Sequence, residues 1–506
     1  MMKNIDAWLN TVTMYRLTVY VLIGLLAAAA GLSAARIMGL DPFALLFTAG
    51  FLVAACWASN ALLARVFGVP ANVESSYITA LILALIVQPL AGYADLPALA
   101  LLAVLAMASK YVVAPFRRHI FNPVALAAVL WGLMLDREPT WWLAALPMLP
   151  FVTVGGLLIV RKMRREAMAA TFIAAAVAIT LVLSVAAGND VFSALGQTVI
   201  ESPLLFFAFF ILTEPVTLPP TRPLQIIYGA LTGILFAPEL HIGQLAFTPE
   251  SAMLVGNLFS YAVSAKKKLV LTLARKEHIG ADVWDFIFAV DRPLSFVPGQ
   301  YMEWTLGHPD PDSRGNRRYF TMASSPTELE VRVGVKIPER PSSYKRAMLE
   351  MEAGTTMVAG QLAGDFTIPR DAGQPLVFIA GGIGITPFRS IVHDLLDRKE
   401  RRTLTLLYSN RHADEIAYTD VFERASREIG LRTIYTLTDA AHAPAGWAGS
   451  LGRIDAALIR AEIPDYAGRM FYLSGPNAMV EGFERTLLDM GVSPSRIRKD
   501  FFPGFA

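Results

Sequence analysis

The chain changes character once along its length. Up to about Ala265 it alternates long apolar runs with short polar breaks, and from Lys266 onward hydrophobic and polar residues mix as in a water-exposed domain. A membrane-spanning helix needs roughly 20 mostly apolar residues. Runs of that kind fall near 17–35, 43–63, 77–93, 97–113, 122–135, 141–160, 168–187, 193–213, 224–237 and 251–264. The pattern predicts an α-helical polytopic membrane domain of about ten transmembrane helices. Pro203 lies inside the eighth run, and Pro123, Pro215, Pro219, Pro220 and Pro223 crowd the ends of others. Such breaks persist at membrane depth only where protein or a polar cavity satisfies the freed backbone groups, so they point to a site between helices. Alternating residues then open a strand at 269–273, and short strands with Gly and Pro turns continue to about Pro369. That is the pattern of a small antiparallel β-barrel. After Gln374, strands such as 376–380 and 403–408 alternate with helical stretches, which predicts an α/β domain with parallel strands. The expected domains are 1–265, 266–370 and 371–506.

Composition and charge narrow the class. Hydrophobic residues make up 54% of 506 positions, and the mean hydropathy is +0.47. A net charge of +2 gives no reason to expect a nucleic-acid partner. The placement of the charges says more. With both ends in the cytoplasm, the inner segments hold Lys3, Arg16, Arg65, Lys110, Arg117, Arg118, Arg161, Lys162, Arg164, Arg165, Arg222 and Lys266 to Lys268. The outer segments hold only Arg36 and Arg137, and are acidic, with Asp41, Asp95, Asp136, Glu138, Asp190, Glu239 and Glu250. The positive-inside rule therefore predicts an even number of spans in a cytoplasmic membrane, with membrane lipid as the first partner. The lysine and arginine near the N-terminus precede a first membrane helix rather than a cleaved signal. Cys56 is the single cysteine, which excludes a four-thiolate iron–sulfur cluster, a disulfide framework and a zinc ribbon. No metal site is expected. Residues 1–265 contain only His119 and His241, at opposite faces by the charge bias, so two stacked haems are excluded.

Three motifs carry chemistry in the soluble half. The first is Arg318-Tyr319-Phe320-Thr321, after Phe296-Val297-Pro298-Gly299-Gln300-Tyr301. On an alternating strand Arg318 and Phe320 share a face. The guanidinium can fork onto a pyrophosphate, the ring can lie on an isoalloxazine, and Thr321 can hydrogen-bond near flavin N5. The second is a buried strand running into Gly381-Gly382-Ile383-Gly384-Ile385-Thr386-Pro387 and a helix. Glycines let backbone approach a pyrophosphate, and the helix N-terminus favours its charge. The third is Ser474-Gly475-Pro476-Asn477-Ala478-Met479 at a strand end. In this order the motifs resemble the ferredoxin–NADP reductase family over about 267–506. The resemblance implies that Arg318, Tyr319, Phe320 and Thr321 hold FAD, with Ser342 or Ser343 at its phosphates. It implies that Gly381, Gly382, Gly384, Thr386 and Pro387 take NAD(P)H, with Gly475, Pro476 and Met479 lining the nicotinamide side. Thr321 and Ser474 are then the residues nearest the chemistry; many members have cysteine where Ser474 stands. Ser409-Asn410-Arg411 falls where the family grips the adenosine end, and Arg411 would favour NADPH through its 2′-phosphate. The C-terminal Phe501-Phe502-Pro503-Gly504-Phe505 offers a ring for the flavin or simple terminal packing.

The membrane half carries its own signature. His119-Ile120-Phe121-Asn122-Pro123, the segment from Phe209 to Thr217 and Ile227-Tyr228-Gly229-Ala230-Leu231 resemble one membrane family over roughly 15–265. Its members are flavin-carrying membrane subunits of the sodium-pumping NADH:quinone reductase and of the Rnf electron transport complex. The resemblance implies flavin within or beside the helices and electron transfer across the membrane. Those proteins carry FMN on the threonine of a Ser-x-Ala-Thr-like motif in an extracytosolic segment. Here that loop is only Asp136-Arg137-Glu138-Pro139-Thr140, and the nearest match, Thr171, falls in a helix on the cytoplasmic side. A second flavin, FMN or riboflavin, is therefore expected to be non-covalent, near Asn122, Thr213 and Glu214. Glu201 is a further candidate intramembrane acid. The expected acceptor is a quinone or an extracytosolic flavin-carrying protein. The alternatives are a redox-driven ion pump and a haem-containing ferric reductase.

Overall fold

The computed structural model describes residues 12–500 except 69–72, 91, 116–118, 238–239, 243–244, 265–268, 291–293 and 313, together with Ile5, Trp8 and Leu9. Lys3, Arg117, Arg118, Glu239, Lys266 to Lys268 and Phe501 to Phe505 lie outside the described residues. The chain divides into two compact units, Met1–Lys268 and Leu269–Phe502.

The first unit is helical: α1 (Met14–Ala34), α2 (Pro42–Val66), α3 (Val73–Ile86), α4 (Leu96–Val112), α5 (Pro123–Leu135), α6 (Leu149–Met163), α7 (Glu166–Ala186), α8 (Val191–Glu201), α9 (Leu204–Ile211), α10 (Arg222–Leu235) and α11 (Pro249–Val263). Among the described residues, five helical stretches are long and apolar enough to cross a membrane, or six if α8 and α9 form one broken span. Four of the ten expected runs are shorter. Helices α3, α5, α10 and α11 have 14, 13, 14 and 15 residues. At 1.5 Å per residue each reaches only about 20–22 Å, less than the roughly 30 Å hydrocarbon core.

Two of the expected runs need correction. The run at 77–93 stops being helical at Ile86, because Pro89 follows and the chain must leave the helix before it. The run at 141–160 becomes an α-helix only at Leu149. Its first residues cap α3 instead. Trp141 N donates to Ile86 O at 2.9 Å, and Trp142 Nε1 donates to Ala84 O at 3.2 Å and Val87 O at 2.9 Å. A helix end inside a membrane must satisfy its last carbonyls from within the protein, and these indole and amide groups do so. The run at 193–213 is broken as Pro203 predicts: α8 and α9 meet at a 52° bend, and π turns cover Gln197–Glu201 and Phe207–Ile211. Glu201 is exposed, and Thr171 lies within α7, its hydroxyl donating to Ala167 O at 2.7 Å.

Small residues set one close helix contact, backbone against backbone. Gly229 and Gly233 lie one turn apart on α10 and bring its backbone against α7. A Cβ at Gly229 would lie 2.6 Å from Met168 O, and one at Gly233 would overlap Phe172 O. Close approach of this kind is what holds helices together where water drives nothing. Gly233→Leu is expected to cost about 1–3 kcal/mol by overpacking. The helical circular-dichroism signal of detergent-purified protein should then melt earlier than wild type. Gly24→Leu, where nothing lies within 4 Å, should leave the midpoint unchanged.

The second unit has two sheets. Strands β1 (Leu269–Gly280), β2 (Val283–Ala289), β3 (Tyr301–Thr305), β4 (Arg317–Thr321) and β5 (Glu330–Lys336) precede α12 (Ser343–Glu350) and β6 (Thr356–Ala363). They form an antiparallel sheet in the order β4-β3-β6-β1-β2-β5. It curls until Ala323 N, just past β4, donates to Arg332 O of β5 at 2.8 Å, so its two edges touch. Its interior is filled by Phe286, Phe288, Trp304, Tyr344 and Met348. The chain continues through β7 (Leu376–Gly381), α13 (Thr386–Asp397), β8 (Leu404–Asn410), α14 (Thr419–Ile429), β9 (Arg432–Leu437) and β10 (Ser450–Leu451). It ends with α15 (Ala456–Glu462), β11 (Met470–Ser474), α16 (Asn477–Asp489) and β12 (Ile497–Lys499). These strands are all parallel, in the order β10-β9-β8-β7-β11-β12. Every residue of β7 is buried, as a central parallel strand covered on both faces requires. The order reverses direction between β7 and β11. In an open parallel sheet, ligands bind at the carboxyl ends of the strands beside such a reversal.

Candidate functional site

Strand β4 sorts its side chains as alternation requires. On one face the Arg318 guanidinium lies 4.9 Å from the Tyr344 ring centre, and the Phe320 ring lies 6.2 Å from the same ring. On the other face Tyr319 OH donates to Glu303 Oε2 at 3.0 Å. The Thr321 hydroxyl is buried without a hydrogen-bond partner among the described residues. A hydroxyl left unpaired in an interior is costly unless something else meets it.

Arg318 also meets the start of α12. Its Nη1 donates to Arg314 O at 2.8 Å and Gly315 O at 3.0 Å, and its Nη2 lies 3.4 Å from Asp312 Oδ1. Asp312 Oδ2 accepts from Ser343 N at 3.2 Å, and Ser343 Oγ accepts from Asp312 N at 2.9 Å. Ser342 Oγ caps the helix by accepting from Lys345 N at 3.3 Å. Asp312 thus ties Arg318 to the serine pair. Burial pushes the Asp312 carboxyl up, but the Arg314 amide and the Arg314 and Arg318 charges outweigh it and hold it below the usual range. Burial, then the charges of Arg314 and Arg318, push the Lys345 ammonium down to about 8. Two guanidinium groups and a helix N-terminus around one carboxylate suit a further anion such as a pyrophosphate. With the unpaired Thr321 hydroxyl at the other end of β4, these residues fit FAD.

The Gly381–Gly384 turn sits at the reversal of the parallel sheet. A Cβ on Gly381 would lie 2.5 Å from Met479 Cε and 3.5 Å from Pro476 Cδ. One on Gly384 would overlap Ser474 O and lie 2.5 Å from Gly475 N. The second and third motifs are therefore packed backbone to backbone, and only glycine admits the approach. Gly382 follows at the start of the tight turn that leads into α13. Thr386 opens α13, its hydroxyl donating to Ile383 O at 3.3 Å, with Pro387 in the first turn, where its missing N–H costs nothing. Ser409 is buried and pairs in register with Gly381. Ser474 Oγ donates to Asp500 Oδ2 at 3.0 Å. Arg411 is exposed past the end of β8, its amide donating to Glu415 Oε2 at 2.9 Å.

In the helical unit a largely buried polar cluster forms where the prolines pointed, with His119 and Glu214 half-buried at its side. Asn122 Oδ1 caps α5 by accepting from Val124 N at 3.0 Å and Ala125 N at 3.1 Å. Its Nδ2 reaches Ile211 O at the end of α9, 3.4 Å away. Asn122 N donates to Asn257 Oδ1 at 2.7 Å, and Asn257 Nδ2 donates to Tyr228 OH at 3.2 Å. Beside them His119 Nε2 lies 3.5 Å from Glu214 Oε1, while Thr217 Oγ1 donates to Glu214 Oε2 at 3.2 Å. The structure thus brings Asn122 and Glu214 to one region, and Thr213 turns its hydroxyl back onto Phe209 O at 2.7 Å. Asn257 is not apparent from sequence; its signal is a lone amide in the last apolar run. Asp312 and Tyr344 are not apparent either, because their contacts join distant segments.

Comparison with known proteins agrees with this division. Residues 148–265 match the model of the NQR2, RnfD, RnfE family, and residues 378–485 match that of the oxidoreductase NAD-binding domain. A flavohemoprotein of Bacillus cereus is 26% identical over 219 residues, which is 41% of this chain and 53% of that protein. The reductase component of phenol 2-monooxygenase from Pseudomonas sp. is 28% identical over 201 residues, 39% of this chain and 55% of that protein. The chain spans about half the length of the curated relatives it matches. The FAD/NAD-binding domain of nitric oxide dioxygenase from Vibrio cholerae aligns with a TM-score of 0.40 at 22% identity, covering 46% of this chain and 98% of that one. Motifs and relatives define the soluble half as an FAD-dependent NAD(P)H oxidoreductase module. The chain joins it to a membrane segment of the NQR2, RnfD, RnfE type.

Proposed function

We propose that the chain takes reducing equivalents from cytosolic NAD(P)H and passes them, through its membrane half, to a quinone or an extracytosolic flavin-carrying protein. FAD, once bound, supplies the needed chemistry, since a flavin accepts two electrons as hydride and releases them singly. Arg318, Ser342 and Ser343 hold its phosphates, Phe320 lies against its ring, and Thr321 offers its spare hydroxyl to the reacting edge. Gly381, Gly382, Gly384, Thr386 and Pro387 receive the dinucleotide phosphates. Ser474, Gly475, Pro476 and Met479 shape the nicotinamide side. Ser409 lies toward the adenosine end, and the exposed charge of Arg411 favours NADPH over NADH.

The observation that carries the membrane part is the polar cluster of buried Asn122, Asn257, Tyr228 and Thr217 with half-buried His119 and Glu214. Amides and a carboxylate inside a helical bundle are expensive to keep unless they serve a function, and the uracil-like edge of a flavin is a ring of donors and acceptors they can meet. A second, non-covalent flavin, FMN or riboflavin, belongs there in this reading, with Thr213 and Glu214 in its wall. The charge bias supports cytoplasmic termini, and the short helices then serve as walls of this site. Denaturing the purified protein should release two flavins per chain; one FAD alone, or flavin left on the polypeptide, would contradict the reading.

Arg318→Ala tests the FAD half. A charged hydrogen bond is worth about 1.5–3 kcal/mol. The variant should bind FAD roughly 10–100-fold more weakly, read by titrating flavin-stripped protein and following quenching of flavin fluorescence. Unchanged affinity would remove Arg318 from the site.

A further inference from the structure

The curled sheet and the parallel sheet meet along α13, and two adjacent residues of that helix bond directly across the junction. Arg389 Nη1 donates to Ala323 O at 2.7 Å and to Glu328 Oε2 at 2.9 Å, and its Nη2 donates to Glu328 Oε1 at 3.1 Å. Ser390 Oγ donates to Ser324 O at 2.6 Å. Arg389 is 4% exposed and Ser390 fully buried. The Arg389 guanidinium lies 5.3 Å from the Tyr418 ring centre, and Tyr418 OH donates to Asp285 Oδ1 at 3.2 Å. Arg332 Nη1 reaches Asp285 Oδ2 at 3.3 Å. A Cβ on Gly334 of β5 would lie 2.8 Å from Thr386 Cγ2, so strand backbone is pressed against the first residue of α13.

The position of these bonds along the chain matters more than their number. Arg389 lies one helical turn after Thr386, which opens α13 directly behind the Gly381–Gly384 turn. Ala323 and Ser324 lie two and three residues after Thr321, which ends β4. The carbonyls that follow the flavin strand are therefore held by side chains that follow the nucleotide turn. A buried ion pair such as Arg389 with Glu328 is a weak source of stability, since desolvation offsets most of its attraction. Its bidentate fork with a third bond to Ala323 O is instead a rigid ruler.

We infer that Arg389 and Ser390 are positioning residues for hydride transfer, fixing the separation between the nucleotide turn and the Thr321 end of the flavin strand. The inference rests on the proposed function. Hydride carries two electrons and one proton from the nicotinamide, which is oxidised, to the flavin, which is reduced, and no third reactant enters. The rate of such a step falls steeply when the reacting atoms are misplaced by even about 1 Å.

The test uses the full-length protein with Ser390→Ala, Arg389→Lys and Arg389→Met. Flavin bleaching by NAD(P)H is followed anaerobically in single turnovers, giving the limiting rate and the apparent Kd. Hydrogen exchange of the amides at 322–328 is measured on flavin-stripped protein. Ser390→Ala and Arg389→Met should slow the limiting rate about 10–100-fold. The Kd and the FAD content should stay within about two-fold, and exchange at 322–328 should quicken. Arg389→Lys should recover part of the rate, because an ammonium can keep the bond to Ala323 O but cannot fork onto Glu328. Wild-type rates in Ser390→Ala and Arg389→Lys would overturn the inference, as would slowing that merely tracks lost FAD. If NAD(P)H fails to bleach the wild-type flavin, the functional reading itself falls, and the exchange data still report whether α13 holds the 322–328 segment.

Discussion

Gly384→Ala should leave FAD in place while lowering NAD(P)H-driven flavin reduction about 100-fold, the cost of a misplacement near 1 Å. The added methyl would overlap Ser474 O and stand 2.5 Å from Gly475 N. Both neighbours are backbone atoms at the end of β11, whose ladder with β7 holds them in register. No rotamer can relieve the clash, so the two turns must separate. They are the two sides of the proposed nucleotide crevice, whereas the residues assigned to FAD lie on the other sheet. Dithionite should therefore reduce the bound flavin of the variant as it does that of wild type, while NAD(P)H should not. Reduction by NAD(P)H at the wild-type rate would show that the nucleotide binds elsewhere.

Asn257→Leu should have the opposite signature. Leucine is close to asparagine in size but leaves the Asn122 amide without its acceptor, and Tyr228 OH, which still donates to Met253 Sδ, without the donor it accepts from. Each buried group left unsatisfied costs about 1–3 kcal/mol, and a membrane interior offers no water in compensation. Asn122 also caps α5 and reaches Ile211 O, so the loss propagates to the two elements that wall the proposed second site. The membrane half should retain its helices but lose its non-covalent flavin. NAD(P)H–ferricyanide activity of the soluble half should stay at the wild-type level, while transfer across the membrane should fall at least about 10-fold, the effect of one 1.4 kcal/mol step or more. Equal loss of both activities would mean that the cluster only supports folding.

What a sequence can announce, and what it cannot, follows from the range of the contacts. The glycine turn and the Ser474–Met479 turn are readable because each is a short run with local chemistry at a strand end. Their meeting follows from the parallel order of β7 and β11. The shared face of Arg318 and Phe320 follows from period-two alternation alone. Tyr344, Asp312 and Arg389 carry no such mark. Tyr344 stands on a helix that begins more than twenty residues after Arg318, and Arg389 is an ordinary polar position in an amphipathic helix until Ala323 and Glu328 fold against it. In the membrane half, hydropathy counts apolar residues without asking which way the backbone runs. It therefore assigns Trp141 and Trp142 to a span, although their N–H groups are used to cap α3. It likewise cannot see that α3, α5, α10 and α11 stop short of membrane thickness, since apolar residues beyond their ends belong to breaks stabilised by neighbours. Asn122 is visible through its proline; Asn257, with no such neighbour to mark it, is not.

The most direct test of transmembrane electron transfer uses proteoliposomes that hold the full-length chain and trapped ferricyanide, with NAD(P)H added outside. The trapped ferricyanide should lose its yellow absorbance, a change that reports one-electron reduction whatever the carrier, and the loss should slow about 100-fold in Gly384→Ala and at least about 10-fold in Asn257→Leu. Reduction of external acceptors with the trapped pool untouched would contradict the account.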